Sequence, residues 1–578
     1  MSNLETLKFR SDPGVLFSQH AMAPGAISNF EAIRSKVVDS VVERTMNDFS
    51  PAQYEMLLGE SLFSERRRIY KQKNATLEYL FIRKRIKADE KLWKKVQQGL
   101  LKSVVESDRK KLMRDAVTHY ADEIGGHFSP KVYNFTTRTL PLAFNWLLNA
   151  ASLKRIAPWK QVEMLDTRLR VYGEIEHLQR LSQKGTILLV PTHQSNIDSV
   201  LIGYIIHLMQ LPPFAYGAGL NLFTNPVISY FMSNLGAYTV DRQKNSPLYK
   251  SVLKNYSTEI LKRGVHSIFF PAGGRVRSGA IETHVKLGLL GTALQAQIEN
   301  YQENKPNPNV YIVPMTTGYH FVLEASSLID EYLEQSGKHK FMATDGDEPL
   351  ILWKFLKFFW KLFSQDSSVQ VRIGRPLDVF GNFVDENGRS IGPNGTTIDP
   401  KSWLTSGGEL KADTQRDQQY IVGLGKKIGE RYHRENIVLT SHLCAYSYFR
   451  MLRKTYRELD LYRFLRLSLS QRTVLFSDFL AEAVSCYKLV RHAANRGELF
   501  LSEELRVLKL EDWIQDGLRQ LGMFHESKVM RKQDQTLYTE DMNLLYYYRN
   551  RLTGYGFDPL GRDENKLLGE FDEKGFLV

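Results

Sequence analysis

The sequence predicts an α/β fold: a central mixed sheet flanked by helices, with helical N-terminal and C-terminal regions. Three observations predict it. Short apolar runs rich in β-branched residues recur at about 186–190, 238–240, 266–270, 310–315 and 368–373. Segments with helical spacing of apolar residues lie between them. The flanks, about 30–111 and 442 onward, carry helical patterns. The expected divisions are a helical N-terminal domain over 1–150, an α/β domain over 151–440 and a helical C-terminal region over 441–578.

At 578 residues the chain can bury a large core and hold more than one domain. Hydrophobic content of 43% and charged content of 24% are ordinary for a folded protein. The net charge of +13, from 77 Lys and Arg against 64 Asp and Glu, suits an anionic partner. No compact nucleic-acid motif is present, so a phospholipid surface or a phosphorylated substrate is expected and nucleic acid is not. The only cysteines, Cys444 and Cys486, have no metal-ligand spacing, which argues for a reducing compartment and against a zinc site. The first residues lack a charged-then-apolar signal pattern, and no run of about 18 apolar residues occurs, so no spanning helix is expected.

Taken in order, residues 1–30 contain Pro13, Gly14, Pro24 and Gly25 and read as an irregular arm. The helical stretch that follows is basic (Arg66-Arg67-Arg68, Lys71, Lys73, Arg83-Lys84-Arg85) with interleaved aromatics. It reads as a surface for anionic lipid or an acidic carrier protein, or as an ordinary solvated helical face. Residues 141–156, PLAFNWLLNAASLKRI, are apolar but too short to span a bilayer. After the strand at 186–190, a helix is predicted over 199–209, stopped by Leu211-Pro212-Pro213. A strand at 214–218, a helix opening at Asn225-Pro226 and a strand at 238–240 come next. The helix at 253–263 ends at Gly264, a C-cap. A strand at 266–270, a helix from Lys286, a linker at 304–309 and the strand 310–315 complete this part. Residues 350–363, LILWKFLKFFWKLF, place Lys354, Lys357 and Lys361 on one face of an aromatic-rich helix, the pattern of an interfacial anchor. Residues 381–408 read as a loop, 415–435 as a helix, and 442 onward as amphipathic helices and a polar tail.

The chemistry concentrates in residues 185–198, GTILLVPTHQSNID. Pro191 ends the strand, and His193 and Asp198 follow it into the next helix. Imidazole is suited to take a proton near neutral pH, and a carboxylate beside it fixes its tautomer. The pair suits a general base acting on a hydroxyl; the bland alternative is a strand-end histidine and a helix-capping aspartate. Downstream, Arg242 closes the strand at 238–240, and a guanidinium fork suits phosphate. Pro271-Ala272-Gly273-Gly274-Arg275-Val276-Arg277-Ser278 follows the strand at 266–270. Glycines there permit close backbone approach, and amides with arginines make an anion nest.

His193-Gln194-Ser195-Asn196-Ile197-Asp198 resembles the His-x-x-x-x-Asp box of the glycerolipid acyltransferases. Three further segments resemble that family's later boxes in its order: 236–242 (GAYTVDR), 270–279 (FPAGGRVRSG) and 312–315 (IVPM). Four boxes in order are a specific signal. The double glycine and the segment GNFVDENGRSIG near Gly381 resemble the glycerol-3-phosphate and dihydroxyacetone-phosphate acyltransferase branch. The resemblance covers about 165–445.

It implies the glycerolipid acyltransferase fold and acyl transfer from a thioester to the sn-1 hydroxyl of glycerol 3-phosphate, the first step of phospholipid synthesis. His193 and Asp198 are then catalytic. Arg242, Gly273, Gly274, Arg275, Arg277, Ser278 and Pro314 are expected to bind substrate. No metal or resident cofactor is implied; acyl-CoA or acyl-carrier protein is the co-substrate. The expected location is peripheral, on the cytoplasmic face of an anionic membrane. Dihydroxyacetone phosphate or lysophosphatidate as acceptor, and a non-catalytic lipid-binding or carrier-binding protein, stay open. One departure stands out: Ala272 occupies a position where the family usually has glutamate, so either Glu282 or another carboxylate substitutes, or the acceptor is held differently, or the protein is weakly active.

Overall fold

The computed structural model describes residues 26–73, 78–102, 105–139, 169–220, 226–336, 367–406, 409–410 and 413–557. The arm before residue 26, the apolar segment 141–156, the expected interfacial helix 350–363 and the tail after 557 lie outside the described residues. Among the described residues, no helix is long and apolar enough to cross a membrane.

Seven strands make the central sheet: β1 Leu169–Gly173, β2 Thr186–Pro191, β3 Ala215–Gly219, β4 Ala237–Val240, β5 Ser267–Ile268, β6 Val310–Tyr319 and β7 Val369–Ile373. Their order is β1-β7-β6-β2-β5-β3-β4. Every neighbouring pair is parallel except β6 with β7, so the sheet is mixed, as the sequence predicts. β2 and β6 are buried at every position. Continuous burial is what a strand covered on both faces requires, and it explains their unbroken apolar runs.

One register feature positions the site. β2 pairs with β6 from Thr186↔Val310 to Pro191↔Met315. β6 then continues through Tyr319, paired only with the antiparallel β7. Thr317 and Tyr319 therefore stand beside the chain as it leaves β2. The sequence signal ended at Met315, because Thr316, Thr317 and Gly318 break the apolar run while remaining in the ladder. β5 is shorter than predicted. Phe269 N–H still donates to the Leu189 carbonyl, but the Phe270 carbonyl accepts from Gly273, and the chain turns away. The loop expected at 381–408 contains the small antiparallel strands Phe383–Val384, Ser390–Ile391 and Thr397–Ile398. Asp385 organises the first turn by accepting from the N–H groups of Asn387 and Arg389.

Four N-terminal helices, Phe30–Asn47, Tyr54–Lys73, Glu78–Leu101 and Glu106–Ile124, share an apolar cluster with the helix Pro247–Lys262 and with Ala215 and Tyr238 of the sheet. Within this interface lies a buried charge network. Arg68 binds Glu65 (2.7 Å) and Asp89 and reaches Asp241 at 3.8 Å. Lys244, whose side chain is fully buried, binds Glu123 and lies 3.7 Å from Asp89. Asp89, His119 and Glu123 fall within 4.8 Å of one another, a spacing that would suit a metal ion. Arg68, Lys244 and Arg85 already neutralise both carboxylates. Asp241 and Lys244 flank Arg242, so the network ties the Arg242 turn to the N-terminal helices.

The C-terminal region centres on the helix Thr440–Thr455, enclosed by Phe476–Asn495, Leu510–Met523 and Met542–Arg549. It is not wholly helical: Thr473–Leu475, Arg531–Gln533 and Thr536–Tyr538 form a three-stranded antiparallel sheet. Its hairpin turns at Asp534, with φ +51°, where the strong Asn-Gly turn signal is absent. One hydrophobic core runs without a break from β1, β2, β6 and β7 into these elements.

Candidate active site

The chain leaves β2 at Pro191 and enters the helix Asp198–Leu208 after six residues, 192–197. This short loop carries His193. Its Nδ1 donates to Asp198 Oδ2 at 2.9 Å. The Asp198 side chain is fully buried, whereas the His193 side chain is 14% exposed. Three more donors converge on the same carboxylate: the N–H groups of Gln194 (2.7 Å) and Ser195 (2.9 Å), and the Tyr319 hydroxyl (2.5 Å). Every group around Asp198 is a donor, so Nδ1 carries the ring proton and Nε2 keeps its lone pair. The ring packs on Phe270, with centroids 4.4 Å apart. The backbone is held as well, since the His193 carbonyl accepts from Val276 N–H and its N–H donates to Glu282 Oε1 (2.7 Å).

Glu282 is buried and its Oε2 has no hydrogen-bond partner. Burial pushes its pKa up to about 8, against the opposing hydrogen bond from His193. The folded state thus keeps a proton that the unfolded chain releases above about 4.5. Stability must therefore fall as pH rises through this window, with a slope approaching about 1.4 kcal/mol per pH unit. Between pH 6 and 8 we expect Glu282 to cost roughly 2–3 kcal/mol. Urea titrations of the wild type and Glu282→Gln at both pH values check this, and the variant should lack that part of the slope.

The glycine-bearing turn is built tightly. Gly273 has φ +66°, and a Cβ there would lie 2.7 Å from Lys286 Cδ. Lys286 therefore lies along the turn, an arrangement only glycine permits. Partial desolvation, then the charges of Arg242 and Arg277, lower the Lys286 pKa. These three cations thus share one region beside Gly273 and Gly274. Arg277 also binds Glu331 (3.0 Å) and Gln335 (3.1 Å) on the helix Ala325–Ser336. Ser278 caps a turn through Ala280 N–H, and its carbonyl accepts from Asn550. Gly279 has φ +77°, and a Cβ there would come within 2.3 Å of the Tyr547 carbonyl, so this loop rests on the C-terminal helix. Pro314 lies inside the sheet opposite Val190, its carbonyl accepting from Gly374.

Arg275 lies 3.4 Å from Glu324 Oε1. The same carboxylate accepts from the Ser195 hydroxyl (2.8 Å) and Asn196 N–H (3.1 Å). Glu324 therefore orients the arginine that Ala272 cannot reach. Glu282, the named substitute, supports His193 instead. Residues 171–318 match the model of the Acyltransferase family. This stretch is similar to acyltransferase domains. Its sequence is similar to a glycerol-3-phosphate acyltransferase of Pseudomonas paraeruginosa, 29% identical over 269 residues, which cover 46% of this chain and 28% of that protein. A glycerol-3-phosphate acyltransferase of Actinobacillus succinogenes is 36% identical over 172 residues, covering 29% of this chain and 20% of that protein. The chain thus spans less than a third of the length of either relative. Among solved structures, the 1-acyl-sn-glycerophosphate (LPA) acyltransferase PlsC of Thermotoga maritima aligns with a TM-score of 0.23 and 15% identity, over 63% of this chain and 96% of that one.

Several residues of this candidate site escape a sequence reading. Tyr319 has no signal beyond its place at the end of β6, and Glu324 lies twelve residues beyond the start of the fourth box at Ile312. Arg551, from far outside the domain, donates to the Thr317 carbonyl (2.7 Å) and to Asn436 (2.7 Å).

Proposed function

We propose that the protein transfers a fatty acyl group from an acyl thioester to the sn-1 hydroxyl of glycerol 3-phosphate, giving lysophosphatidic acid. The observation that carries this reading is the His193–Asp198 pair, with Nε2 free of the carboxylate, opening beside a turn that gathers Arg242, Arg277 and Lys286. His193 Nε2 takes the hydroxyl proton as the oxygen attacks the thioester carbonyl carbon. When the tetrahedral adduct collapses, the C–S bond breaks and the imidazolium returns the proton to the departing thiolate. Asp198 stabilises the imidazolium between the two events. The cations hold the acceptor's phosphate, which turns a bimolecular encounter into a positioned one. No enzyme nucleophile is needed. Purified protein incubated with labelled palmitoyl-CoA and a panel of acceptors tests the reading: glycerol 3-phosphate should be acylated in preference to dihydroxyacetone phosphate and lysophosphatidate.

Glu324 gives a sharper check. Glu324→Gln keeps an acceptor for Asn196 N–H but loses the charge that faces Arg275. The expected result is a KM for glycerol 3-phosphate raised about tenfold with a smaller change in kcat, the size of one charge-assisted contact.

The same reading places the protein on an anionic membrane, peripherally and on its cytoplasmic face. The helix Tyr54–Lys73 supports this: Met56, Phe63 and Tyr70 recur every seven residues on one face, and Phe63 and Tyr70 are 74% and 72% exposed. Arg66 and Arg67 flank the stripe, also exposed. Aromatics with adjacent cations fit the headgroup boundary. Phe63→Glu with Tyr70→Glu should lower binding to phosphatidylglycerol vesicles at least tenfold, as read by flotation.

A further inference from the structure

A cavity of about 370 Å³ opens beside the edge of the sheet and shares no lining residue with the site around His193. Tyr172 and Arg372 line it from β1 and β7, where they are register partners. Tyr487 and Arg491 line it from the helix Phe476–Asn495, and Phe500 and Arg506 from the segment that follows. Its volume is within the range of small-molecule sites.

The charge around it is unbalanced. Among the described residues, Arg372, Arg491 and Arg506 line it and no carboxylate does; Glu435 lies behind the wall, between Arg372 (2.6 Å) and Arg431. Burial and then neighbouring arginines, Arg506 for Arg372 and Arg434 and Arg375 for Arg431, pull both guanidinium groups down to about 10, while Glu174 opposes the shift. The Arg372 guanidinium lies 3.3 Å from the centroid of the Phe500 ring, and Arg491 stands 6.0 Å over Tyr487. The wall also holds an orphan. Tyr172 is 4% exposed, and its hydroxyl makes no hydrogen bond within 3.5 Å, although the Arg170 guanidinium acts on it. Arg170, the nearest charge, is committed to Glu504. Buried hydroxyls are nearly always satisfied, so one left open in a cavity wall points to a ligand.

We propose that this cavity binds a phosphorylated nucleotide. Arg491, Arg506 and Arg372 meet its phosphates, Tyr487 offers a face to its base, and the Tyr172 hydroxyl bonds to it. Arginine forks suit phosphate, and aromatic faces accept any base. Two sources share this chemistry: a free nucleotide and the nucleotide portion of a coenzyme thioester.

Calorimetry on the full chain tests it, with adenosine 3′,5′-bisphosphate as probe. Saturable binding is expected, weakened at least 30-fold by Arg491→Glu with Arg506→Glu and unchanged by His193→Ala. Tyr172→Phe should weaken binding several-fold. Displacement of the probe by palmitoyl-CoA assigns the site to the coenzyme; binding undisturbed by palmitoyl-CoA assigns it to a free nucleotide. The proposal is overturned by absence of saturation up to about 1 mM, by equal affinity in the double arginine variant, by loss of binding in His193→Ala, or by undiminished affinity in Tyr172→Phe.

Discussion

His193→Ala is expected to lower acyl transfer by at least about 10²–10⁴-fold, the usual contribution of a positioned general base, while leaving the thermal transition in place. Both halves follow from the geometry. The imidazole is the group whose Nε2 faces outward while Nδ1 is held by Asp198. Among the described residues, the other side chain bonded to that carboxylate is Tyr319. Removing the ring deletes one of four donors to Asp198. The Gln194 and Ser195 amides and the Tyr319 hydroxyl remain, so the loop keeps its anchor. The backbone bonds of His193 to Glu282 and Val276 do not depend on the side chain. Initial rates with palmitoyl-CoA and glycerol 3-phosphate, with a melting curve on the same sample, give the answer. More than about 10% residual activity in a variant of unchanged Tm would remove His193 from the mechanism.

Lys244→Met is expected to destabilise the protein by about 3–5 kcal/mol, the cost of leaving buried charge unpaired. Lys244 is completely buried among Glu123, Asp89 and Glu65, with the ring of Tyr120 5.1 Å from its ammonium. A methionine of similar shape fills the space but leaves Arg85, 3.2 Å away, as the remaining cation on Glu123. Adding Glu123→Gln should recover part of the loss, a coupling that two independent sites would not show. Lys73→Met is the control. Its ion pair with Glu90 is about 40% exposed on both sides, and such pairs contribute roughly 0–1 kcal/mol. Urea denaturation at fixed pH separates the two. Because the network flanks Arg242, Lys244→Met should also raise the KM for glycerol 3-phosphate before it unfolds the chain.

The sheet was largely legible because its strands are buried on both faces and read as apolar runs, β2 and β6 most clearly. Boundaries failed where the ladder continues through polar or small residues, as at Thr316–Gly318, or where a turn takes over early, as at Phe270. The proposed catalytic pair was legible as a contact for a different reason: His193 and Asp198 lie close in sequence, and a loop of six residues brings them together. Glu324, Tyr319 and Arg551 were not, since each reaches the site from a separate part of the chain and carries no local pattern. Ala272 left open whether another carboxylate takes the place of the usual glutamate, and only the packing of the segment after β6 against the His193 loop brings Glu324 to Arg275. In the N-terminal region the charge count suggested a solvated basic surface. The fold instead hides Arg68 and Lys244 in its interior while leaving Arg66 and Arg67 outside, a distinction that composition does not carry.

The contacts of Tyr547 with Gly279, Asn550 with Ser278 and Arg551 with Thr317 have a consequence for biogenesis. A nascent polypeptide that has emerged past residue 320 holds every box yet lacks the last braces of its own catalytic loop. Translation must run on for more than two hundred further codons before those braces exist. A stalled ribosome or a truncated message that stopped short of residue 551 would therefore release residues 171–318 without those braces.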